Sequence, residues 1–263
     1  MDFADDLALL SHRHQQMQDK TKILAETSSQ VGLSIHKGKT QVMRINSTST
    51  EPILLGDDEL QEVESFTYLG SIISIQGGTD EDVKARIGKA RTAFLLLKNI
   101  WRSREIHQQT KIRIFNSNVI SVLLYGAETW RTTKTTTKKV QTFINKCLRR
   151  ILNIHWPNKI SNMDLWTRTK QIPAADEIGR RRWRWIGHTL RKPVSNTTRQ
   201  ALTWNPQGKR NRGRPKNTWR RDLQADTKRL GGTWSQIEKN ASDRNLWRTL
   251  VDGLYPGKGV RRK

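Results

Sequence analysis

Apolar and polar positions along the chain change their period near residue 79. Before that point the apolar residues come in short clusters. The polar segment 11–31 carries Met17, Leu24 and Val31 at heptad spacing, which predicts a surface helix ended by Gly32. The pair Lys37-Gly38 marks a turn, and Thr40 to Ile45 reads as a strand. In "PILLGDDELQEVESFTYLGSIIS" short strands are broken by a turn at Gly56-Asp57-Asp58. The first 75 residues are therefore expected to be β-rich with one helix.

From Thr79 the spacing becomes helical. Thr79 has an acid three residues on, Asp82, in a capping-box-like arrangement, and Val83, Ile87, Ala90, Phe94, Leu97 and Trp101 follow at intervals of four and three. A second helix is predicted over about His107 to Tyr125, ending at Gly126. A third is predicted over Lys134 to Ile154, with "TTKTTTKK" as a basic connector and cap. Residues 79–156 thus read as a three-helix bundle. Beyond Pro157 the pattern predicts a short helix over Met163 to Gln171 and a basic helix from Ala174 to about Leu190. At least one more is expected between Trp219 and Leu250. "NPQGKRNRGRPKN" has the composition of an extended loop, and "PGKGVRRK" that of a frayed tail.

Charge changes this picture most. The net charge of +24 is too large for solubility alone and points to a polyanion. Residues 1–100 hold 11 Lys+Arg against 14 Asp+Glu; residues 101–263 hold 37 against 10 and all ten tryptophans. A membrane is the weaker partner, because "AFLLL" and "VISVLLYGA" are too short to span one and no signal peptide precedes them. The single cysteine, Cys147, excludes an intrachain disulfide framework and a cysteine-rich zinc knuckle. It continues the apolar spacing Val140, Ile144, Cys147, Ile151, Ile154 and is expected in a helix core. A reducing compartment, nucleus or cytoplasm, fits. The six histidines are too scattered to form a metal site by spacing, and His188 beside Gly187 reads as packing or polar contact. Neither a nucleophile–base constellation nor a phosphate-binding glycine loop is present.

Candidate chemistry lies at the two ends. Asp5 and Asp6 in "MDFADD" sit between the short run Met1 to Phe3 and the apolar Leu7 to Leu10. Neighbouring residues of a strand point to opposite faces, so the two carboxylates converge only on a tight turn. There they could hold magnesium, which prefers oxygen ligands. Paired acids in turns are common, and "GDDE" at 56–59 reads as a loop.

The order of motifs extends the reading. Aromatic-Ala-Asp-Asp, a helix, "GLSIHKGKT" and "FTYLGS" resemble successive palm motifs of reverse transcriptases of non-LTR retrotransposons. "SVLLYGAETW", "RRRWRWIGHTLR" and "GKRNRGRPKNTWRRDL" resemble the thumb and C-terminal region of endonuclease–reverse transcriptase open reading frames of that class. The resemblance covers essentially the whole chain. It implies an α+β fold: 1–78 the C-terminal end of a palm, 79–156 a helical thumb-like bundle, 157–263 a basic, Trp-rich nucleic-acid-binding region. It also implies RNA-directed DNA polymerase chemistry with an RNA template, a DNA primer or RNA–DNA hybrid, and Mg2+ in the complete active site. Asp5 and Asp6 match the metal-binding catalytic turn. Lys39 matches a lysine that protonates pyrophosphate, its alternative being a solvated lysine beside a turn. Phe66, Tyr68, Leu69 and Gly70 match the primer grip, and the two aromatics equally suit a hairpin core.

Residues 180–221 contain 14 Lys+Arg and no acid. Arg180, Arg181, Arg182, Arg184, Arg191, Lys192, Lys209, Arg210, Arg212, Arg214, Lys216, Arg220 and Arg221 are the expected phosphate contacts. Trp183, Trp185, Trp204 and Trp219 among them suit packing better than base stacking. "GKRNRGRPK" is compatible with a nuclear-localisation signal, and its Gly-Arg-Pro core bears a slight likeness to minor-groove hooks.

Three readings follow: a partial reverse transcriptase, a non-enzymatic nucleic-acid-binding protein derived from a retroelement, and a helical structural protein with an acidic partner. The family's further palm aspartate and fingers lie upstream of the catalytic turn, where this chain has nothing. The expectation is a C-terminal piece of a longer polyprotein, inactive alone. Primer extension on an RNA template with magnesium is predicted to give no product; template-dependent product lost in Asp5→Ala would overturn this.

Overall fold

Among the described residues every strand is two to four residues long and pairs with one neighbour. The computed structural model describes residues 2–3 (backbone only), 6–45, 47, 49–203 and 218–256. The chain divides into two compact units, Met1–Asp82 and Val83–Lys263.

In the first unit, β1 (Asp2–Phe3) and β2 (Asp6–Leu7) are antiparallel, with Phe3 opposite Asp6. Helix α1 (His14–Gln30) ends where Gly32 takes a left-handed φ of 76°. A 3-10 turn over Lys37–Lys39 leads to β3 (Gln41–Val42). The hairpin β4 (Leu54–Leu55) and β5 (Asp58–Glu59) turns at Gly56, and β6 (Gln61–Glu62) runs parallel to β3. Ile53, Leu55 and Leu60 form a small core against Met17, Ala25, Ile35 and Val42. Gln18 fastens α1 to β4 by accepting from Leu54 N and donating to Leu54 O, at 2.8 and 2.9 Å. A second hairpin joins β7 (Ser65–Tyr68) to β8 (Ser71–Ser74). Leu69 and Gly70 at its tip both have positive φ, 49° and 73°, as a two-residue hairpin turn of this twist requires.

The second unit is helical. Helix α2 (Asp80–Leu96) begins at the boundary, and α3 (Lys98–Arg102) and α4 (Gln108–Phe115) follow. The expected second helix is not regular. A π turn over Asn116–Ile120 interrupts it before the single turn α5 (Ser121–Leu123). Asn118 Nδ2 and Ser117 Oγ donate to Ile114 O there, capturing a carbonyl at the change of register. After a 3-10 turn over Ala127–Thr129 come α6 (Lys134–Ile151), α7 (Asn162–Thr169), α8 (Ala174–Leu190), α9 (Thr197–Thr203), α10 (Trp219–Arg229), α11 (Trp234–Ser242) and α12 (Arg244–Leu254). Side-chain oxygens of Thr133, Ser161, Thr218, Thr233 and Asp243 cap α6, α7, α10, α11 and α12, satisfying amides that a helix N-terminus leaves open.

Two cores fill this unit. The first takes Val83, Ala90, Phe94 and Trp101 with the inner faces of α4 and α6, including Val140, Ile144, Cys147 and Ile151, as the apolar spacing predicts. Burial pushes the Cys147 thiol up to about 12, so it behaves as a small apolar side chain. The second core collects Trp183, Ile186, Leu190, Leu223, Ile237, Trp247 and Val251. Helix α8 belongs to both: Ala174 and Ile178 lie in the first, Trp183, Ile186 and Leu190 in the second. Two glycines of α8 let aromatics approach its backbone. A Cβ on Gly179 would stand 2.3 Å from the Tyr255 ring, and one on Gly187 would stand 2.0 Å from Trp247 Nε1.

Arg182 lies where these cores meet. It is 2% exposed, and its Nη2 donates to Trp130 O at 2.6 Å, its Nε to Glu128 O at 3.4 Å. Its Nη1 is 3.7 Å from the Asp222 carboxylate, which also accepts from Thr132 N and Oγ1. One turn on, the Asp226 carboxylate accepts from Trp183 Nε1, Tyr255 Oη and Arg229 Nη1. Burial pushes the Arg182 guanidinium below its usual value, with Asp222 the first of three groups pulling it back. Arginine stays charged nonetheless. Burial, reinforced by the bond to Asp226, pushes the Tyr255 phenol up, so it remains the donor.

Removing one partner of a buried charge pair strands the other, at about 3 kcal/mol or more. Arg182→Leu is therefore predicted to lower the melting midpoint by roughly 6–12 °C. Arg184→Ala, on the same helix but 58% exposed, should shift it by less than about 2 °C. Calorimetry or thermal circular dichroism of the two variants checks the contrast.

Candidate nucleic-acid interface

The clearest basic surface among the described residues is on α6. Its apolar residues occupy one arc, buried against the first core, and Lys134, Lys138, Lys139, Lys146 and Arg150 occupy the opposite, exposed arc. Four residues turn an α-helix about 40° past a full circle, so Lys134, Lys138, Lys146 and Arg150 wind slowly across that arc. The run spans about 24 Å at 1.5 Å per residue. None of the five has an acidic partner among the described residues, and 129–163 contains no Asp or Glu at all. "TTKTTTKK", expected as a connector and cap, contributes the cap Thr133 and then the first six residues of this helix. The amphipathic spacing could have shown that the lysines face away from Val140, Ile144 and Cys147. Their freedom from acids needed the tertiary structure.

The basic cluster further on divides into inward and outward groups. Arg182, expected as a phosphate contact, is instead a packing cation, because its donors are spent on Trp130 O, Glu128 O and Asp222. Arg180 pairs with Asp252 at 2.5 Å, and Arg184 reaches the same carboxylate at 4.0 Å. Arg181 pairs with Glu177 at 2.8 Å and reaches Leu124 O. Arg191 donates to Ala241 O, and Arg220 to Leu202 O. Lys192 is half-buried; Arg184 and Arg221 remain exposed. Lys209, Arg210, Arg212, Arg214 and Lys216 lie outside the described residues, as does Trp204. Trp183 is fully buried, and Trp185 and Trp219 meet edge to face with centroids 6.3 Å apart, so these tryptophans pack as expected. His188, expected in packing or polar contact, is exposed, which removes the packing alternative.

In the first unit, Asp5 lies outside the described residues. Asp6 is exposed on β2, and Tyr68 Oη donates to its carbonyl at 3.3 Å. The hairpin carrying Phe66, Tyr68, Leu69 and Gly70 is thus bonded to the strand that carries Asp6. Phe66 and Tyr68 are half-buried, and Gly70 supplies the turn's positive φ. Lys39 is exposed at the end of its 3-10 turn. Magnesium asks for several oxygen ligands in near-octahedral array. Among the described residues no group of three possible metal ligands stands together, so the described donors do not make up such a site and no catalytic step follows from them.

A cleft of about 460 Å³ opens beside the Arg182 network, lined by Asp176, Asp222 and Asp226 as well as Arg182 and Arg229. Its carboxylates would repel phosphate, which leaves the exposed arc of α6 as the better anion surface. No helix of the described residues is long and apolar enough to cross a membrane.

Residues 93–125, from the end of α2 through the π turn and α5, match a family described as a domain of unknown function (DUF6451). No solved structure matches the chain. Over 264 aligned residues the chain is 25% identical to an uncharacterized transposon-derived protein of Caenorhabditis elegans, covering 95% of this chain and 93% of that protein. This similarity supports a transposon origin for the chain.

Proposed function

We propose that this chain is a retroelement-derived nucleic-acid-binding protein that grips a phosphate backbone with its helical unit. The observation that carries the reading is the exposed arc of α6, with five cations that lack acidic partners among the described residues. Charge by unit supports it: Met1–Asp82 holds six Lys+Arg against 14 Asp+Glu, and Val83–Lys263 holds 42 against 10. The partner in this reading is RNA or RNA–DNA hybrid, as the reverse-transcriptase resemblance implies.

A second reading, in which the first unit is the end of a polymerase palm and residues 79–156 a thumb, rests on one contact. Tyr68 of the primer-grip-like hairpin bonds the carbonyl of Asp6. Asp5 and Asp6 would then supply carboxylates to a metal site completed elsewhere.

Binding through five phosphate contacts releases their counterions, so log K against log salt should fall with a slope of about −3.5 for a single strand. Replacing Lys138, Lys139 and Lys146 together by glutamine should flatten that slope by about 2. The variant should keep its thermal midpoint, since all three side chains are exposed. Fluorescence anisotropy with a labelled RNA across a salt series checks this; an unchanged slope would rule out the α6 arc as the grip.

A further inference from the structure

Trp156 is 78% exposed, although tryptophan ordinarily serves a core or an interface. It sits in the segment that joins α6 to α7, and that segment is held at both ends. Ile154 and Ile160 pack against the first core. Ile154 N donates to Arg149 O at 2.9 Å, while the Arg149 guanidinium donates to Ile160 O and to Asn162 Oδ1, at 3.4 and 2.8 Å. Between these anchors the chain is turned outward, from His155 to Lys159. The Lys159 ammonium lies 4.5 Å from the Trp156 ring centroid, which orients the ring and adds a cation beside it. The exposed ring therefore stands on a fastened segment, six residues beyond Arg150, the last cation of the α6 arc. No Asp or Glu occurs anywhere from Thr129 to Met163.

We infer that Trp156 stacks on an unpaired nucleobase of the strand whose phosphates lie along α6. The inference rests on the nucleic-acid reading above and deepens it, because charge alone grips any backbone, whereas an aromatic face selects bases that are free to unstack. An exposed indole with the Lys159 ammonium against it, in a stretch of chain without acids, matches the way single-strand binders work, with cations for the backbone and aromatic rings for the bases. In a blunt duplex the bases are already stacked on one another and present no free face. The site should thus favour single-stranded nucleic acid over a duplex of the same length.

The test uses the full chain and three labelled probes read by fluorescence anisotropy: a single-stranded RNA, the blunt RNA duplex of the same sequence, and the single strand with abasic sites in place of its bases. Trp156→Ala should weaken binding of the intact single strand roughly 5- to 150-fold, the loss of one base–aromatic stack. It should leave the duplex and the abasic strand within about twofold. Trp156→Phe should recover most of the loss. Because the ring is exposed, neither variant should move the thermal midpoint. If Trp156→Ala leaves the intact strand unaffected while the α6 glutamine variant weakens it, the stacking inference fails, the nucleic-acid reading survives, and the ring is left for a protein contact. Equal losses on all three probes would likewise overturn stacking. If the wild-type chain binds none of the probes, both readings fall together.

Discussion

A buried cation, Arg182, is the constraint on which the helical unit depends. Taking a guanidinium out of water is costly, and the fold offsets that cost with two backbone carbonyls and one carboxylate drawn from separate segments. The carbonyls belong to the turn between α5 and α6; the carboxylate belongs to α10. Meeting the needs of one side chain therefore fixes α8, that turn and α10 relative to each other. Asp226 repeats the logic one turn along α10, with Trp183, Tyr255 and Arg229 as its partners. The two cores of the helical unit are in this way joined through α8.

The same network explains how a chain of charge +24 sorts its cations. The few acids of the second unit are concentrated where they answer arginines of α8 and its neighbours: Glu177 for Arg181, Asp222 for Arg182, Asp252 for Arg180 and Arg184. Helix α6 carries no acid of its own, and its lysines have no acidic partner among the described residues, which leaves them for another molecule. A region dense in arginine is not for that reason the region most available to phosphate. Pairing, more than density, decides it.

Periodicity made much of the fold legible. Helix α8 runs from Ala174 to Leu190 as its pattern predicts, and Cys147 takes its place on the apolar face of α6. The π turn at Asn116–Ile120 was hidden, because its apolar residues keep a spacing that a regular helix would also satisfy. The candidate site was legible in part. Asp6 and Tyr68, 62 residues apart, are bonded in the structure through the Asp6 carbonyl, a contact that no spacing in the sequence specifies. The burial of Arg182 was not, since within "RRRWRW" nothing local distinguishes the arginine that meets a carbonyl from the ones that meet water. Trp156 is hidden for a related reason: it stands apart from the dense arginines, and its exposure is a property of the α6–α7 segment and its anchors.

The central claim is that the lysines of α6 contact nucleic acid while those of the first unit do not. Acetylation of lysines by a water-soluble reagent, read by mass spectrometry with and without bound single-stranded RNA, tests it directly. Lys134, Lys138, Lys139 and Lys146 should be protected, and the exposed Lys22 and Lys37 should react equally in both states. Lys111, buried with its ammonium bonded to Trp101 O and Ser103 O, should react poorly throughout. Protection of Lys22 or Lys37, with α6 labelled as fully in the complex as in the free protein, would contradict the account.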